Sequence, residues 1–348
     1  MERRAGGVSM VAVLGAGSWG TTLAVHLAQL GNGVALWDVD ETHLSQLDRD
    51  RENRKFLAGI ALPRGINVQP KLEVALAGAE FTFFVVPSHG MRTCAERVAA
   101  TGARSRYVCA AKGLELRTLK RMTQVLSESL VESDVVLLVG PSHAEEVSRG
   151  VPTSIVAAAE SHERAHRVQV LCSSSRLRVY TNGDVPGCEY GAALKNVIAV
   201  AAGICDGLGY GDNTKGALLT RGLDEITRLG VALGGKRETF YGLTGMGDLI
   251  TTGISRHSRN RHVGERLGRG ESIEQVLGGM HMVAEGVNTA QAAFTLGRRE
   301  GVETPIIEQV RAILIEGRDP RVALEALMSR ELKSEEWKGG PGRVAAQD

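Results

Sequence analysis

The chain has 348 residues, enough for two domains, and its 41 basic and 40 acidic residues give a formal net charge of +1. This balance excludes the strong positive field with which proteins recruit nucleic acid or anionic membranes. The five cysteines are scattered and form no CxxC pair, which indicates reduced thiols in a cytoplasmic protein. Apolar runs are too short to span a membrane, and the one after Arg3 and Arg4 is too short for an export signal.

The chain opens with a predicted strand over residues 10–14, a glycine-rich turn, a helix over 21–30 and a second strand over 34–38. The turn has the spacing GxGxxG, formed by Gly15, Gly17 and Gly20. In a βαβ unit the first glycine permits a tight turn and the second lets the backbone approach a pyrophosphate. The third lets the helix pack closely, with its N-terminus facing the phosphates. The second strand ends in Asp38, and the whole pattern predicts a site for a nicotinamide or flavin dinucleotide.

Apolar strands continue to about residue 181, and polar or glycine-rich residues follow several of them. The predicted strands are 81–86, 107–111, 135–139, 153–158 and 178–181. Strands of this kind alternating with amphipathic helices indicate an α/β fold with a doubly wound, mostly parallel sheet. Ligands bind such sheets beyond the carboxyl ends of the strands. We therefore expect a Rossmann-type dinucleotide-binding domain over residues 10–183, after a loose N-terminus at 1–9.

From about residue 184 the pattern changes to helices alone. The predicted helices are 189–205, 218–233, 275–280, 290–296, 306–315 and 322–327. They predict an all-α second domain over residues 184–332, and the glycine-rich, polar residues 333–348 are expected to form a loose tail.

Lys195 and Asn196 interrupt the very apolar helix predicted over 189–205. A lone lysine commonly extends its side chain to the surface. Here both neighbouring turns are apolar, and a partly buried lysine has a lowered pKa and can act as a general base. The sequence alone leaves open whether Lys195 is a catalytic base or a lysine whose side chain reaches the surface.

A second polar cluster begins at Asp248, after the glycine-rich turn 245–247, and ends with Ser258, Arg259 and Asn260. It offers a carboxylate partner for a lysine and a fork of donors for a phosphate. The alternative is a solvated basic loop, because further basic residues crowd the same region. They are Arg256, His257, Arg261, His262, Arg266 and Arg269. Without net basicity or interleaved aromatics, nucleic-acid binding is disfavoured, and no residue set has the spacing of a metal site.

Eight motifs stand in a fixed order along the chain. They are residues 15–20, 86–88, 111–115, 140–146, 193–196, 245–249, 258–260 and 283–286. In this order and spacing they resemble the bacterial type of NAD(P)-dependent sn-glycerol-3-phosphate dehydrogenase, over about residues 10–330. The resemblance implies a cytoplasmic oxidoreductase that interconverts sn-glycerol 3-phosphate and dihydroxyacetone phosphate and supplies phospholipid synthesis. It also implies a homodimer.

The resemblance further implies roles for single residues, with Lys195 as proton acceptor. Substrate contacts implied by it are Lys112, Gly140, Ser142, Lys195, Asp248, Ser258, Arg259 and Asn260. Cofactor contacts implied by it are Ser18, Trp19, Lys112, Ala144, Arg259, Val283 and Glu285. Chemistry agrees, since Asp248 would hold a charged Lys195 while Lys112 would favour its neutral form and polarise the carbonyl. His89 and His143 are not needed as the base, and His143 is kept as an orienting candidate.

Asp38 departs from the family, many of whose members have a small residue there and then Arg or His. A carboxylate at this position accepts bonds from ribose hydroxyls and repels a 2′-phosphate, so we expect NAD to be preferred over NADP. Two other functions share parts of this sequence pattern. A hydroxy-acid or 6-phosphogluconate type of dehydrogenase would lack the Ser258-Arg259-Asn260 triplet. A dinucleotide sensor without catalysis is disfavoured by the intact Lys112 and Lys195.

Overall fold

The computed structural model describes residues 9–130, 135–280, 282–332 and 335, and the chain divides into two compact units. The first unit comprises the residues up to Ala111 together with Met122–Gly183, and the second comprises Lys112–Arg121 and the residues from Asp184 onward. Apart from Ser9 and Glu335, the segments predicted to be loose at the two ends lie outside the described residues.

The first unit is built on one sheet. Its strands within the described residues are β1 (Met10–Leu14), β2 (Gly33–Trp37), β3 (Ile66–Val68), β4 (Phe81–Phe84), β5 (Arg106–Cys109), β6 (Val136–Val139), β7 (Thr153–Ala158) and β8 (Leu177–Asn182). Their order is β3-β2-β1-β4-β5-β6-β7-β8, and every pairing is parallel except that of β6 with β7. This confirms the predicted doubly wound fold. The sequence did not predict β3, a three-residue strand with the exposed Asn67 in its middle.

Helices connect these strands. They are α1 (Ser18–Gln29), α2 (Glu41–Asp50), α3 (Leu72–Leu76), α4 (Met91–Ala100), α5 (Met122–Ser129), α6 (Ala144–Val147) and α7 (His162–Cys172). The strands β1, β4 and β6 are almost wholly buried, as expected of a sheet that has helices on both faces.

The described part of the second unit is helical. Its helices are α8 (Val185–Gly207), α9 (Asp212–Ala232), α10 (Arg237–Phe240), α11 (Asp248–Ile254), α12 (Arg259–Gly268), α13 (Ile273–Gly278), α14 (Glu285–Glu300), α15 (Pro305–Glu316) and α16 (Pro320–Met328). Asp184 caps α8 by accepting from the Gly187 amide at 2.9 Å. Among the described residues, α8 has the length and mean hydropathy of a membrane span, but its apolar window is wholly buried, as in the core helix of a globular fold.

Helix α8 meets α12 with almost no side chains between them, along a line that we call the glycine seam. The seam consists of Gly203, Gly207, Gly264 and Gly268. A Cβ atom at Gly203 would lie 1.9 Å from the carbonyl oxygen of Arg261. A Cβ atom at Gly264 would lie 1.9 Å from the carbonyl oxygen of Val200. Backbone contact therefore sets the separation of the helix that carries Lys195 from the helix that begins at Arg259.

The segment Lys112–Arg121 corrects the predicted domain limits, because it belongs to the second unit and not to the domain expected over residues 10–183. Leu114 is 2% exposed and packs in the hydrophobic core of the helices. Lys112 and Arg121 each form an ion pair with a carboxylate of the second unit. Chain continuity suggested that the segment follows the sheet, but its buried side chains belong with the helices.

Candidate active site

The GxGxxG turn of the first unit has the geometry that a dinucleotide requires. Gly15 has φ +109°, and a Cβ atom there would lie 2.6 Å from the Val85 carbonyl oxygen. A Cβ atom at Gly20 would lie 1.8 Å from the Gly15 carbonyl oxygen, so α1 packs against the turn itself. By contrast, a Cβ atom at Gly17 would meet nothing within 4 Å, which leaves open space at the N-terminus of α1. A pyrophosphate fits such a position, with Ser18 and the predicted Trp19 in the first turn.

Asp38 lies directly after β2 and holds the glycine turn. Its Oδ2 accepts from the Ala16 amide at 2.6 Å, and its Oδ1 accepts from the Asp40 amide at 3.0 Å. The cap of α2 is Asp40, whose carboxylate accepts from the His43 amide. A carboxylate at the end of a strand can also cap the next helix, but in α2 this role belongs to Asp40 and not to Asp38.

Asn53 also holds the glycine turn, and the sequence did not predict this contact. Its side-chain amide is fully buried and donates to the Ala16 carbonyl oxygen at 2.8 Å and to the Thr21 hydroxyl at 2.7 Å. The backbone of Ala16 is therefore held at its nitrogen by Asp38 and at its carbonyl oxygen by Asn53. No spacing rule predicts a contact over 37 residues from a loop.

The residues predicted around 140–144 follow β6. Gly140 has φ +142°, and a Cβ atom there would lie 3.0 Å from the Ile155 Cα atom, so glycine is required. The Ser142 hydroxyl donates to the Gly140 carbonyl oxygen at 3.0 Å. Ala144 begins α6, and its carbonyl oxygen accepts from the Thr22 hydroxyl of α1 at 3.3 Å. Hence Ala144 is tied to the same helix whose N-terminus faces the open space at Gly17. His143 immediately precedes α6.

In the second unit, Asp248 is the centre of a buried charge cluster. Its Oδ1 lies 3.1 Å from the Lys195 Nζ, and its Oδ2 accepts from the Lys112 Nζ at 2.8 Å. Lys195 and Asp248 are almost fully buried, whereas the Lys112 side chain is 21% exposed. The structure thus brings together all three residues predicted to be catalytic, and Lys195 is no surface lysine.

Thr252 completes this cluster, and the sequence reasoning had not assigned it. Its hydroxyl accepts from the Lys195 Nζ at 2.5 Å and lies 3.3 Å from the Asp248 Oδ1. Asp248 and Thr252 are four residues apart on α11, and that spacing places both on one helix face. The same spacing was readable in the sequence.

The protonation of the cluster follows from burial and from its three charges. Burial lowers the pKa of Lys195 to about 7, although Asp248 opposes this shift by favouring the ammonium. Lys112 and Arg259 lower the pKa of Lys195 further by repulsion. Burial by itself raises the pKa of Asp248, but the two lysines outweigh it and the net shift is downward. Near neutral pH, Asp248 is a carboxylate beside an amine that can gain or release a proton.

The residues predicted to contact the phosphate differ in how exposed they are to solvent. Arg259 is exposed at the first turn of α12 and donates to the Val283 carbonyl oxygen at 3.0 Å. The Ser258 hydroxyl is the cap of α12, accepting from the Arg261 amide. The Asn260 amide is buried, donating to Asn196 at 2.9 Å and accepting from the Gly286 amide at 2.9 Å.

Asn260 therefore joins α8, α12 and the start of α14, where Glu285 is the first residue. Of the predicted phosphate fork, Arg259 has the more accessible donors. Three nearby arginines are paired with acids, Arg261 with Asp206, Arg266 with Glu271 and Arg269 with Glu265. No group of three or more His, Cys, Asp or Glu side chains in the described ranges is arranged to hold a metal ion.

Comparison with known proteins assigns both parts of the chain to one family. Sequence profiles described as the N-terminus and the C-terminus of NAD-dependent glycerol-3-phosphate dehydrogenase match residues 10–165 and 184–325. Glycerol-3-phosphate dehydrogenase (NAD(P)+) of Chlorobium limicola is 49% identical, over 93% of this chain and 99% of the relative. The Clostridium perfringens enzyme of that name is 45% identical, over 94% of this chain and 100% of the relative.

A solved structure is similar over the same extent. The crystal structure of glycerol-3-phosphate dehydrogenase from Coxiella burnetii superposes with a TM-score of 0.90 and is 33% identical, covering 93% of this chain and 99% of that one. The profiles, the relatives and this structure together show that the chain belongs to the NAD-dependent glycerol-3-phosphate dehydrogenase family.

Proposed function

We propose that this chain interconverts sn-glycerol 3-phosphate and dihydroxyacetone phosphate, with Lys195 as the group that accepts the hydroxyl proton. As a member of its family it is an NAD(P)-dependent oxidoreductase. The observation that carries the proposal is a lysine that is 3% exposed, lies 3.1 Å from a carboxylate and has a pKa of about 7. A base whose pKa lies near the operating pH is the kind that proton transfer requires.

Each residue of the cluster has a task in the proposed proton transfer. In the oxidation, neutral Lys195 takes the proton of the substrate's secondary hydroxyl and becomes an ammonium, which Asp248 neutralises. In the reduction, the Lys195 ammonium returns that proton to the oxygen while Lys112 polarises the carbonyl. When bound, the nicotinamide supplies the hydride acceptor or donor for the substrate carbon. Thr252 keeps the Lys195 side chain in a fixed orientation, because its hydroxyl accepts a hydrogen bond from the amine as well as from the ammonium.

Arg259 is our candidate for holding the substrate phosphate. Its guanidinium is exposed, and it stands in the first turn of α12, where the helix dipole also favours an anion. The buried amide of Asn260 acts beneath it by holding α12 against α8. In this proposal Gly140 and Ser142 are further substrate contacts, and Val283 and Glu285 are cofactor contacts, as the family resemblance implies.

NAD is the preferred cofactor in our proposal, because Asp38 would stand beside the adenosine ribose and repel a 2′-phosphate. Val39 next to it is 72% exposed and carries no charge. Arg51 donates to two backbone carbonyl oxygens, and Arg54 pairs with Asp50, so both nearby arginines have partners of their own. The first unit would then bind the dinucleotide and the second the substrate. A cytoplasmic location, a homodimer and a supply of glycerol phosphate for phospholipids extend this proposal.

Turnover tests the function directly. Dihydroxyacetone phosphate is added with NADH or NADPH, and the cofactor absorbance is followed for wild type, Lys195→Ala and Lys71→Ala, the last being an exposed lysine of the first unit. We expect Lys195→Ala to lose about a hundredfold to ten-thousandfold in rate with the fold kept, and Lys71→Ala to match wild type. A Lys195→Ala rate within a few-fold of wild type would remove Lys195 from the mechanism. A sensor without catalysis would show no turnover at all.

A further inference from the structure

Lys112 stands on a short connecting segment and not on a helix or strand, yet its ammonium must stay within hydrogen-bond distance of Asp248. The segment 112–121 closes on itself through an isolated antiparallel bridge between Leu114 and Arg121. The Glu115 amide also donates to the Lys120 carbonyl oxygen at 2.9 Å. A contact that holds Arg121 therefore also holds Leu114 across the bridge, and Leu114 lies two residues after Lys112.

Arg121 is held by Glu189 of α8. Its Nη1 donates to the Glu189 Oε2 at 2.8 Å, and the side chains are 13% and 1% exposed. The guanidinium carbon also lies 5.8 Å from the centroid of the Tyr190 ring. Neither residue of this ion pair belongs to the catalytic cluster. Glu189 is six positions before Lys195 on the same helix, so the pair ties the segment to the element that carries the base.

A buried ion pair is weak evidence for stability alone, because desolvating two charges offsets most of their attraction. A pair of this kind does fix geometry, since arginine and carboxylate meet in a defined orientation. Leu114 anchors one side of the bridge through the core, and the ion pair anchors the other. Both sides of the bridge are thus anchored within the second unit, and the bridge begins two residues after Lys112.

We propose that Arg121 and Glu189 are positioning residues for Lys112, and that their ion pair keeps the Lys112 ammonium beside Asp248 and Lys195. This inference rests on the proposed function, in which Lys112 acts on the base and on the carbonyl. Lys195 is faced by Asp248 and Thr252 of α11, by Lys112 of the segment and by Arg259 of α12. If Lys112 moves away, one of the two cations that repel a proton on Lys195 is lost, and the base titrates at higher pH.

The experiment is the pH profile of kcat/KM for oxidation of sn-glycerol 3-phosphate, measured for wild type, Lys112→Met and Glu189→Gln. We expect Lys112→Met to move the midpoint of the rising limb to higher pH, and Glu189→Gln to move it the same way by at least half as much. The conservative Arg121→Lys should remain close to wild type. As a control, Arg228→Met breaks the ion pair with Asp224 on α9 and should leave the midpoint in place.

Because Glu189→Gln removes only one charge of a buried ion pair, the double variant Arg121→Met with Glu189→Met is made as well, which removes both charges at once. A folded single or double variant whose midpoint equals that of wild type, while Lys112→Met shifts it, overturns the positioning role and leaves the proposed function intact. A Lys112→Met midpoint equal to wild type overturns the positioning role as well as the influence of Lys112 on the base, whereas the role of Lys195 is tested separately by the turnover of Lys195→Ala.

Discussion

Replacing Lys195 by methionine removes a buried ionisable group and keeps an unbranched side chain of similar length. The wild-type lysine has a pKa of about 7 in the folded protein, because of burial, against an ordinary value of 10.5. Between these two values the unfolded chain carries a proton that the folded chain lacks. The free energy of unfolding of wild type therefore falls as pH falls from 10.5 toward 7. The methionine variant has no such dependence at this position.

The size of the effect follows from the shift. Each unit of difference in pKa corresponds to about 1.4 kcal/mol, and at pH 7 the folded lysine is half protonated. Between pH 9 and pH 7 the linkage lowers the stability of wild type by about 2 kcal/mol relative to Lys195→Met. The pKa of Asp248 is lowered, with Lys112 as one cause, so Asp248 stays ionised across this window and adds nothing to the difference.

The assay is urea unfolding of both proteins at pH 7 and pH 9, followed by far-UV circular dichroism. Lys71→Met, on the surface, serves as the reference and should differ from wild type equally at both pH values. A stability difference between Lys195→Met and wild type that is the same at pH 7 and pH 9 would show that the folded and unfolded lysines titrate alike. The base would then have to be sought elsewhere.

Three further predictions concern binding and packing. Arg259→Ala should raise KM for dihydroxyacetone phosphate by about tenfold or more, since a hydrogen bond to a charged group contributes about 1.5–3 kcal/mol. Replacing Asp38 by glycine and Val39 by arginine should lower the ratio of kcat/KM for NADH over that for NADPH, because a repulsive carboxylate is exchanged for a cation. Gly264→Ala should lower the free energy of unfolding by about 1–3 kcal/mol, because the added methyl group forces the glycine seam apart.

The Arg259 and Gly264 predictions each have a control in the chain. Arg256→Ala removes another exposed arginine of the same region and should leave KM unchanged. Gly216→Ala, on an open face of α9, should be neutral or stabilising, since its Cβ would meet nothing within 4 Å. An unchanged KM in Arg259→Ala would place the phosphate elsewhere. A wild type that favours NADPH would contradict the role of Asp38, and a Gly264→Ala variant as stable as wild type would mean that α12 yields easily.

Sequence patterns predicted the fold well where they were long and regular, as in β1, α1 and α8. They failed at β3, whose three residues include the polar Asn67 and give too short a signal. The two lysines and Asp248 were predicted to act together and do lie together, but the sequence did not predict that Lys112 belongs to the second unit. This placement depends on an ion pair that joins residues 136 positions apart, and no local spacing records such a contact.

The predicted roles of single groups were harder, because a residue type does not state where its hydrogen bonds go. Asn260 was predicted to grip the substrate phosphate, and its buried amide also bonds to the Asn196 side chain and the Gly286 amide. Asp38 has the chemistry of a ribose ligand, yet it also holds the Ala16 amide of the glycine turn. These second tasks arise from tertiary neighbours that the sequence does not identify.

The glycine seam also bears on how this protein can change over evolutionary time. In an ordinary core, a larger side chain on one helix can be matched by a smaller one on its neighbour. At Gly203 and Gly264 the opposing atom is a backbone carbonyl oxygen, which every amino acid possesses, so no substitution across the contact makes room. A larger residue in the glycine seam therefore cannot be accommodated by a smaller residue on the facing helix. We therefore expect sequence change in this enzyme to spare the glycines of the α8–α12 contact and to accumulate in the surrounding core, where paired substitutions can preserve the packing.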